Sequence, residues 1–296
     1  MKRPVQILSA PSILGLKPGG VELLPESLLA AGLVGKIAAL ETVLEIPTFN
    51  DGYSYKRDRD TNCLNTALVR SFSALLMEKV AGQLDRSVYP LVLGGDCSIL
   101  AGIMPGLKSK GNFALVFLDA HADFYQAEAS PTGELADMDL AIVTGRGPEV
   151  LTNIGGLKPY VEDGNVVHIG QRDAAETAEY GSQDIAETAI KRFDLEYIRT
   201  TGIEQAGDQI VQHLETLPID GFWIHWDTDV IDDAENPAVD YRLPGGLSFP
   251  EAAHLLKRLV ETGKAAGMSV TIFNPLLDTT GSIAVKIVDC LAEALT

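Results

Sequence analysis

Basic residues are scarce in this chain. Lys and Arg total 23 against 41 Asp and Glu, giving a formal net charge of −18. That balance argues against nucleic acid or an anionic membrane as a partner, because both require basic patches. It favours neutral or cationic small molecules. Cysteine is scarcer still: Cys63, Cys97 and Cys290 are an odd number, widely spaced, with no CxxC pair. No disulfide framework is expected, and a reducing cytoplasm is the expected compartment. No run of about 18 uninterrupted apolar residues occurs, so no transmembrane helix is expected. The basic start Met1-Lys2-Arg3 leads into apolar residues as a signal peptide does. Pro4, Gln6 and Pro11 interrupt that run, and a first β-strand explains it better. Linker-like low-complexity stretches and internal repeats are also missing. The 296 residues, 46% of them hydrophobic, are read as one soluble domain spanning 1–296.

Short β-branched or apolar runs alternate with longer helical patterns. Strands are expected at Val5–Leu8, Thr42–Ile46, Tyr89–Leu93, Phe113–Leu118, Val166–Ile169, Gly221–Trp226 and Met268–Phe273. Helices are expected at Leu24–Leu33, Thr61–Leu84, Ile99–Leu107, Asp208–Leu217, Phe249–Thr262 and Ser282–Leu295. Alternation over the whole length predicts an α/β protein with a central parallel sheet and helices on both faces. Long loops are expected at Phe49–Asp60, Phe124–Pro148 and Asp229–Gly246. Cys63 and Cys290 are placed on amphipathic helices as packing residues, and Trp223 and Trp226 in the core.

The densest chemistry is Asp119-Ala120-His121-Ala122-Asp123, directly after the apolar run Phe113–Leu118. In an extended chain, residues i, i+2 and i+4 point to one side, so two carboxylates and an imidazole converge. Such a mixed oxygen and nitrogen set suits a divalent cation. A second acidic pair, Asp227-Thr228-Asp229, ends another apolar strand. The turn Gly94-Gly95-Asp96-Cys97-Ser98 follows a third and brings Cys97 to the same sheet edge. Taken singly, each is also a polar loop end, a cap or a tight turn. Together they give six candidate ligands: Cys97, Asp119, His121, Asp123, Asp227 and Asp229. That is more than one ion needs. Two divalent ions sharing carboxylates would activate a water to hydroxide near neutral pH. His225, two residues before Asp227, is expected to touch a ligand from beneath or to be a satisfied core histidine.

These motifs resemble those of the ureohydrolases, the family of arginase, agmatinase and formimidoylglutamase. The family pattern is Gly-Gly-Asp-His-Ser, Asp-Ala-His-x-Asp and Asp-x-Asp-x-x-Asp-Pro with a loop ending Gly-Gly. Here the third element reads Asp227-Thr228-Asp229-Val230-Ile231-Asp232-Asp233, the loop ends at Gly245-Gly246, and the tail Val270 to Pro275 is also similar. The resemblance implies an arginase-like three-layer α/β/α fold and a binuclear manganese site that hydrolyses a guanidine-type C–N bond. Carried over, Asp119 and Asp227 would bridge the ions, His121 and Asp229 would complete one shell, and Asp123 and Cys97 the other. Asp123 would also orient the attacking hydroxide as the catalytic residue.

The chain departs from the family at identifiable positions. Cys97 stands where the family has a histidine ligand. It would shift preference from Mn2+ toward Zn2+ or Fe2+, bind its ion weakly, or leave a single metal. Ile272 stands where arginases place a glutamate that pairs with guanidinium, and Ala136 where they place a loop histidine. Glu134 replaces an asparagine that holds the substrate α-carboxylate, within Thr132-Gly133-Glu134, and Tyr241-Arg242 replaces Thr-Pro on the opposite wall. Thr132, Glu134 and Tyr241 are therefore the expected substrate-binding residues. The acids Glu134, Asp137 and Asp139 would favour a cationic substrate. Cysteine in the first ligand motif also resembles the hydroxyarginine amidinohydrolase of cycloserine biosynthesis, so a modified guanidine is one expected substrate. The competing expectations are a non-catalytic or single-metal member of the fold acting as a binding subunit, and a deacetylase of the related zinc fold. A homo-oligomer is expected only because the family forms them.

Overall fold

In the computed structural model, which describes residues 3–296, the apolar runs pair into one parallel sheet of eight strands. The strands are β1 (Val5–Ala10), β2 (Leu44–Glu45), β3 (Tyr89–Gly94), β4 (Phe113–Leu118), β5 (Val166–Ile169), β6 (Lys191–Phe193), β7 (Gly221–Asp227) and β8 (Ala265–Thr271). Their order is β2-β1-β3-β8-β7-β4-β5-β6. The helices are α1 (Leu24–Ala30), α2 (Leu33–Lys36), α3 (Thr66–Asp85), α4 (Leu100–Lys108), α5 (Asp139–Val143), α6 (Glu149–Thr152), α7 (Ala174–Glu179), α8 (Leu195–Thr201), α9 (Ile203–Thr216), α10 (Phe249–Glu261) and α11 (Ser282–Leu295).

Strand alternation builds the three layers. Ala114, Val116 and Leu118 of β4 join one core with α1, α9, α10 and α11. Leu115 and Phe117 of the same strand join the other, with α3, α4 and α5. Trp223 and Trp226 on β7 are fully buried, one in each core. Each aromatic of this size buries roughly 150–250 Å². That is about 4–6 kcal/mol of hydrophobic transfer before ordering costs are subtracted.

Several boundaries move for local reasons. The expected helix Leu24–Leu33 breaks into α1 and α2 at Gly32, whose φ is 88°. The expected helix Thr61–Leu84 starts only at Thr66, because Asn62 and Asn65 take positive φ. Cys63 therefore lies in the loop before α3 rather than on it, although it is buried as expected. The strand expected over Thr42–Ile46 shortens to the two residues of β2, an edge strand paired only to β1. The last strand ends at Thr271, which places Ile272 and Phe273 beyond it. The strand β6 and the helices α5 to α8 lie outside the expected elements. Lys191-Arg192-Phe193 carries no apolar run, and α5 interrupts the predicted loop Phe124–Pro148. No helix among the described residues is long and apolar enough to cross a membrane.

Strand order creates the cleft. All strands are parallel, so their carboxyl ends share one edge, and β3, β8, β7 and β4 are consecutive neighbours there. From β3 the chain crosses β8 and β7 to reach β4 before running outward to β5 and β6, and open α/β sheets form their clefts at such switches of strand order.

Candidate metal centre

The turn after β3 is set by close packing. A side chain at Gly95 would place its Cβ 1.9 Å from the carbonyl oxygen of Ser12, and one at Gly94 would meet Ile99. Asp96 is buried and caps the following turn, accepting from Ser98 N at 2.9 Å, Gly15 N at 3.2 Å and Ser12 Oγ at 3.1 Å. Asp96 is thus an anchor that presents Cys97 to the sheet edge. The Cys97 thiol donates to Asp227 Oδ2 at 2.7 Å and lies 3.8 Å from Thr271 Oγ1. Burial, then the charge of Asp227, keeps the thiol protonated well above its ordinary range in the absence of an ion.

The segment Asp119–Asp123 lies just beyond β4 rather than within it. Extended alternation does not run through it, since Asp123 takes a left-handed φ of 45°. Aspartate tolerates that conformation better than most residues. Even so, donor atoms of Asp119, His121 and Asp123 lie within 4.8 Å of one another. Long-range bonds hold the loop: Ala120 N donates to Asp229 Oδ1 at 3.1 Å, and Ala122 N to Asp173 Oδ2 at 3.1 Å. His168 Nε2 sits 2.8 Å from the His121 carbonyl, and burial holds His168 neutral, down to about 4.

Asp227 ends β7 and accepts from Asp229 N at 2.8 Å. Asp229 Oδ2 meets His121 Nδ1 at 2.9 Å. Burial works against both charges, but the pairing prevails: His121 is raised well above its ordinary range and Asp229 is lowered. His225 lies below. Its Nδ1 is 2.9 Å from Ser269 Oγ, its Nε2 is 3.4 Å from Thr271 Oγ1, and its ring stacks on Phe117. Burial lowers it to about 3, so it is neutral. Thr271 reaches Asp227 Oδ2 at 3.3 Å and so links His225 to the carboxylates.

The structure therefore brings all six expected ligands to one sheet edge. Their environment is short of positive charge. Burial, then the charge of Asp229, raises Asp119 to about 7. Burial and neighbouring carboxylates also raise Asp123 and Asp227 well above the ordinary carboxylate range. Asp119 Oδ2 is buried without a hydrogen-bond partner among the described residues. An orphaned oxygen, crowded carboxylates, an imidazole and a thiol fit divalent cations.

A cavity of about 250 Å³ opens over this centre. Cys97, His121, Asp123, Asp227 and Asp229 form its floor, and Thr132, Glu134, Tyr241 and Ile272 are among its walls. Glu134 accepts from Tyr241 Oη at 2.9 Å, and Lys17 donates to the same hydroxyl at 3.1 Å. Thr132 is committed locally, donating to Asp137 Oδ2 at 2.9 Å. Asp137 Oδ2 also accepts from Ser130 at 2.9 Å, while its Oδ1 has no hydrogen-bond partner among the described residues. Ala136, Ile272 and Cys97 meet in one apolar cluster with Ile13, Leu16, Val21 and Val239. Sequence reasoning does not place Lys17, Glu176 or Asp240 at the site. These positions carry no metal-like spacing, and the fold alone gathers them. Arg172, in the loop after β5, donates to four backbone carbonyls, including those of Asp229 and Leu243.

Comparison with known proteins agrees with this arrangement over the full length. The family model described as "Arginase family" matches residues 4–295. The chain is 30% identical over 289 residues to an arginase of Brevibacillus brevis, covering 94% of this chain and 93% of that one. It is 29% identical to an arginase of Bacillus subtilis, with 98% of each chain covered. The native structure of Bacillus caldovelox arginase superposes with a TM-score of 0.88 at 27% identity, covering 99% of this chain and 98% of that one. A shared fold alone also extends to formimidoylglutamase of Bacillus subtilis, with a TM-score of 0.73 at 18% identity. On its fold, its motifs and a match from residue 4 to residue 295, this chain belongs to the arginase family.

Proposed function

We propose that the protein is a metal-dependent amidinohydrolase that cleaves a C–N bond in a guanidine- or amidine-type substrate other than arginine. The observation that carries this reading is the convergence of Cys97, His121, Asp123, Asp227 and Asp229 at the floor of one cavity, with Asp119 buried beside them and its donor atoms within 4.8 Å of those of Cys97 and Asp227 and of those of His121 and Asp123 in two overlapping groups. Cys97, Asp119, His121, Asp123, Asp227 and Asp229 would hold the two divalent ions, Asp119 and Asp227 as the shared carboxylates. When bound, such ions acidify water and so supply a nucleophile near neutral pH. The oxygen-rich set favours manganese, while the thiol leaves zinc or iron open.

The chain's own residues would do the rest. Asp123 faces the cavity, takes the proton of the attacking water and returns it to the departing nitrogen. Eight carboxyl groups line the cavity, Asp123, Glu134, Asp137, Asp173, Glu176, Asp227, Asp229 and Asp240, against one guanidinium, Arg242. A cationic substrate matches that field. Glu134, held by Tyr241, would receive its amine or guanidine end rather than an α-carboxylate. The apolar surface of Ile272 and Ala136 replaces a charged wall, which suits a modified guanidine such as hydroxyarginine.

The test combines elemental analysis with release of urea or hydroxyurea from arginine, hydroxyarginine and agmatine. Two bound ions and turnover of a non-arginine substrate are expected, and Asp227→Ala with Asp229→Ala should abolish both. Protein dialysed against excess manganese that holds no ion and turns over nothing is instead a non-catalytic member of the fold.

A further inference from the structure

We propose that Asp139 is an additional ligand of the ion that Cys97 and Asp123 face, supplying a hard oxygen donor at the shell where the family's histidine is absent. The inference rests on the metal-dependent reading of the site.

Asp139 is fully buried, and neither of its carboxylate oxygens has a hydrogen-bond partner among the described residues. A donor atom of Asp139 lies within 4.8 Å of those of both Cys97 and Asp123. The other buried acids around the centre differ. Asp96 accepts three hydrogen bonds, one oxygen of Asp137 is held by Ser130 and Thr132, and Asp173 by Ala122 N and Gln171; Asp119 and Asp137 each keep one bare oxygen, and among the described residues Asp139 alone keeps two. His225 is also near, but both its ring nitrogens have hydroxyl neighbours. A buried carboxylate with no donor is costly, and native structures keep one chiefly where an ion or water completes it.

The backbone explains why Asp139 cannot turn away. It opens α5, and the amides of Leu140 and Ala141 both donate to the Asp123 carbonyl, at 3.0 and 3.2 Å. The carboxyl groups of residues 123 and 139 are therefore fixed together beside the thiol. Cysteine is a softer donor than imidazole, and a hard divalent ion prefers oxygen. Asp139 restores a hard donor to that shell and compensates the loss of histidine at position 97.

The experiment is manganese titration of metal-free wild type, Asp139→Asn, Asp139→Ala and Cys97→Ser by calorimetry, with elemental counts and thermal melts with and without the ion. Loss of a donor of this kind is expected to weaken one of two binding events by about tenfold to a hundredfold in both Asp139 variants. Their metal-free melting points should not fall, because an unpartnered buried carboxylate has been removed. Cys97→Ser should cost less. Two ions bound to Asp139→Asn with wild-type affinity would overturn the Asp139 assignment and leave the metal centre intact. Equal destabilisation of the variants with and without manganese would make Asp139 merely structural and overturn it too. A wild-type protein that binds no manganese, zinc or iron overturns both readings.

Discussion

Cys97 Sγ lies 2.7 Å from Asp227 Oδ2, so the residue that departs from the family ligand set is already bonded to a carboxylate it would share an ion with. This contact joins the turn after β3 to the end of β7 across β8. It places the thiol inside the donor cluster, not beside it. Metal binding must displace the thiol proton, so the contact couples metal choice to acidity.

Cys97→His is expected to raise manganese occupancy and to lower zinc preference in a competition assay with both ions. Imidazole matches manganese better than thiolate does. Unchanged occupancy of both ions would remove Cys97 from the ligand set.

The metal-free protein should lose stability as pH rises from 5 to 8. Burial raises Asp119 from its ordinary value to about 7, and Asp123, Asp139 and Asp227 shift in the same direction. A carboxyl raised in the folded state contributes stability that is complete below its unfolded pKa and is lost as pH climbs through the folded one. His168 and His225, lowered to about 4 and about 3, act oppositely: their contribution is lost as pH falls below their unfolded value toward these. Asp229, lowered by its pairing with His121, also acts oppositely. Asp137, raised by burial to about 7, and His121, raised by its carboxylate partners, add to the four acids and with them outweigh these three groups. Melting curves of chelator-treated and manganese-loaded protein across this window should diverge with increasing pH, and parallel profiles would contradict the charge argument.

Gly95→Ala should cost about 2–4 kcal/mol in urea unfolding, because its Cβ would sit 1.9 Å from backbone rather than from a movable side chain. Manganese affinity should fall with it, since the same turn carries Cys97. A loss under about 0.5 kcal/mol, as at an ordinary surface site, would mean that the turn tolerates a side chain.

Ile272 lines the cavity with a φ of 70°, an uncommon conformation for a β-branched residue. Ile272→Glu is expected to lower KM for agmatine about tenfold, since a charge-assisted hydrogen bond adds about 1.5–3 kcal/mol. Steady-state kinetics with both ions bound checks this, and an unchanged KM would show that position 272 does not face the substrate's guanidine.

Much of the site is legible because its donors sit in short motifs at the ends of apolar strands. Gly94-Gly95-Asp96, Asp119-Ala120-His121 and Asp227-Thr228-Asp229 each announce a turn with chemistry attached. Asp139 reads only as one acid of a polar loop. Its neighbours Asp137 and Glu134 carry the same charge, and nothing in their spacing tells a satisfied carboxyl from a bare one. Lys17 is invisible for a different reason: its partner Tyr241 is 224 residues away. The edge strand β6 lacks an apolar run and forms because β5 offers it a ladder.

The sequence by itself determined the alternation of strand and helix, the donor types and their placement at strand ends. Those follow from local periodicity and from what glycine and aspartate permit in turns. Only the tertiary structure decided which donors meet. Cys97 and Asp227 are 130 residues apart and touch because β3, β8 and β7 lie side by side with parallel ends. Asp139 joins them because two α5 amides bond the Asp123 carbonyl. Strand order and loop anchoring depend on contacts between distant residues, and local sequence preference does not specify them.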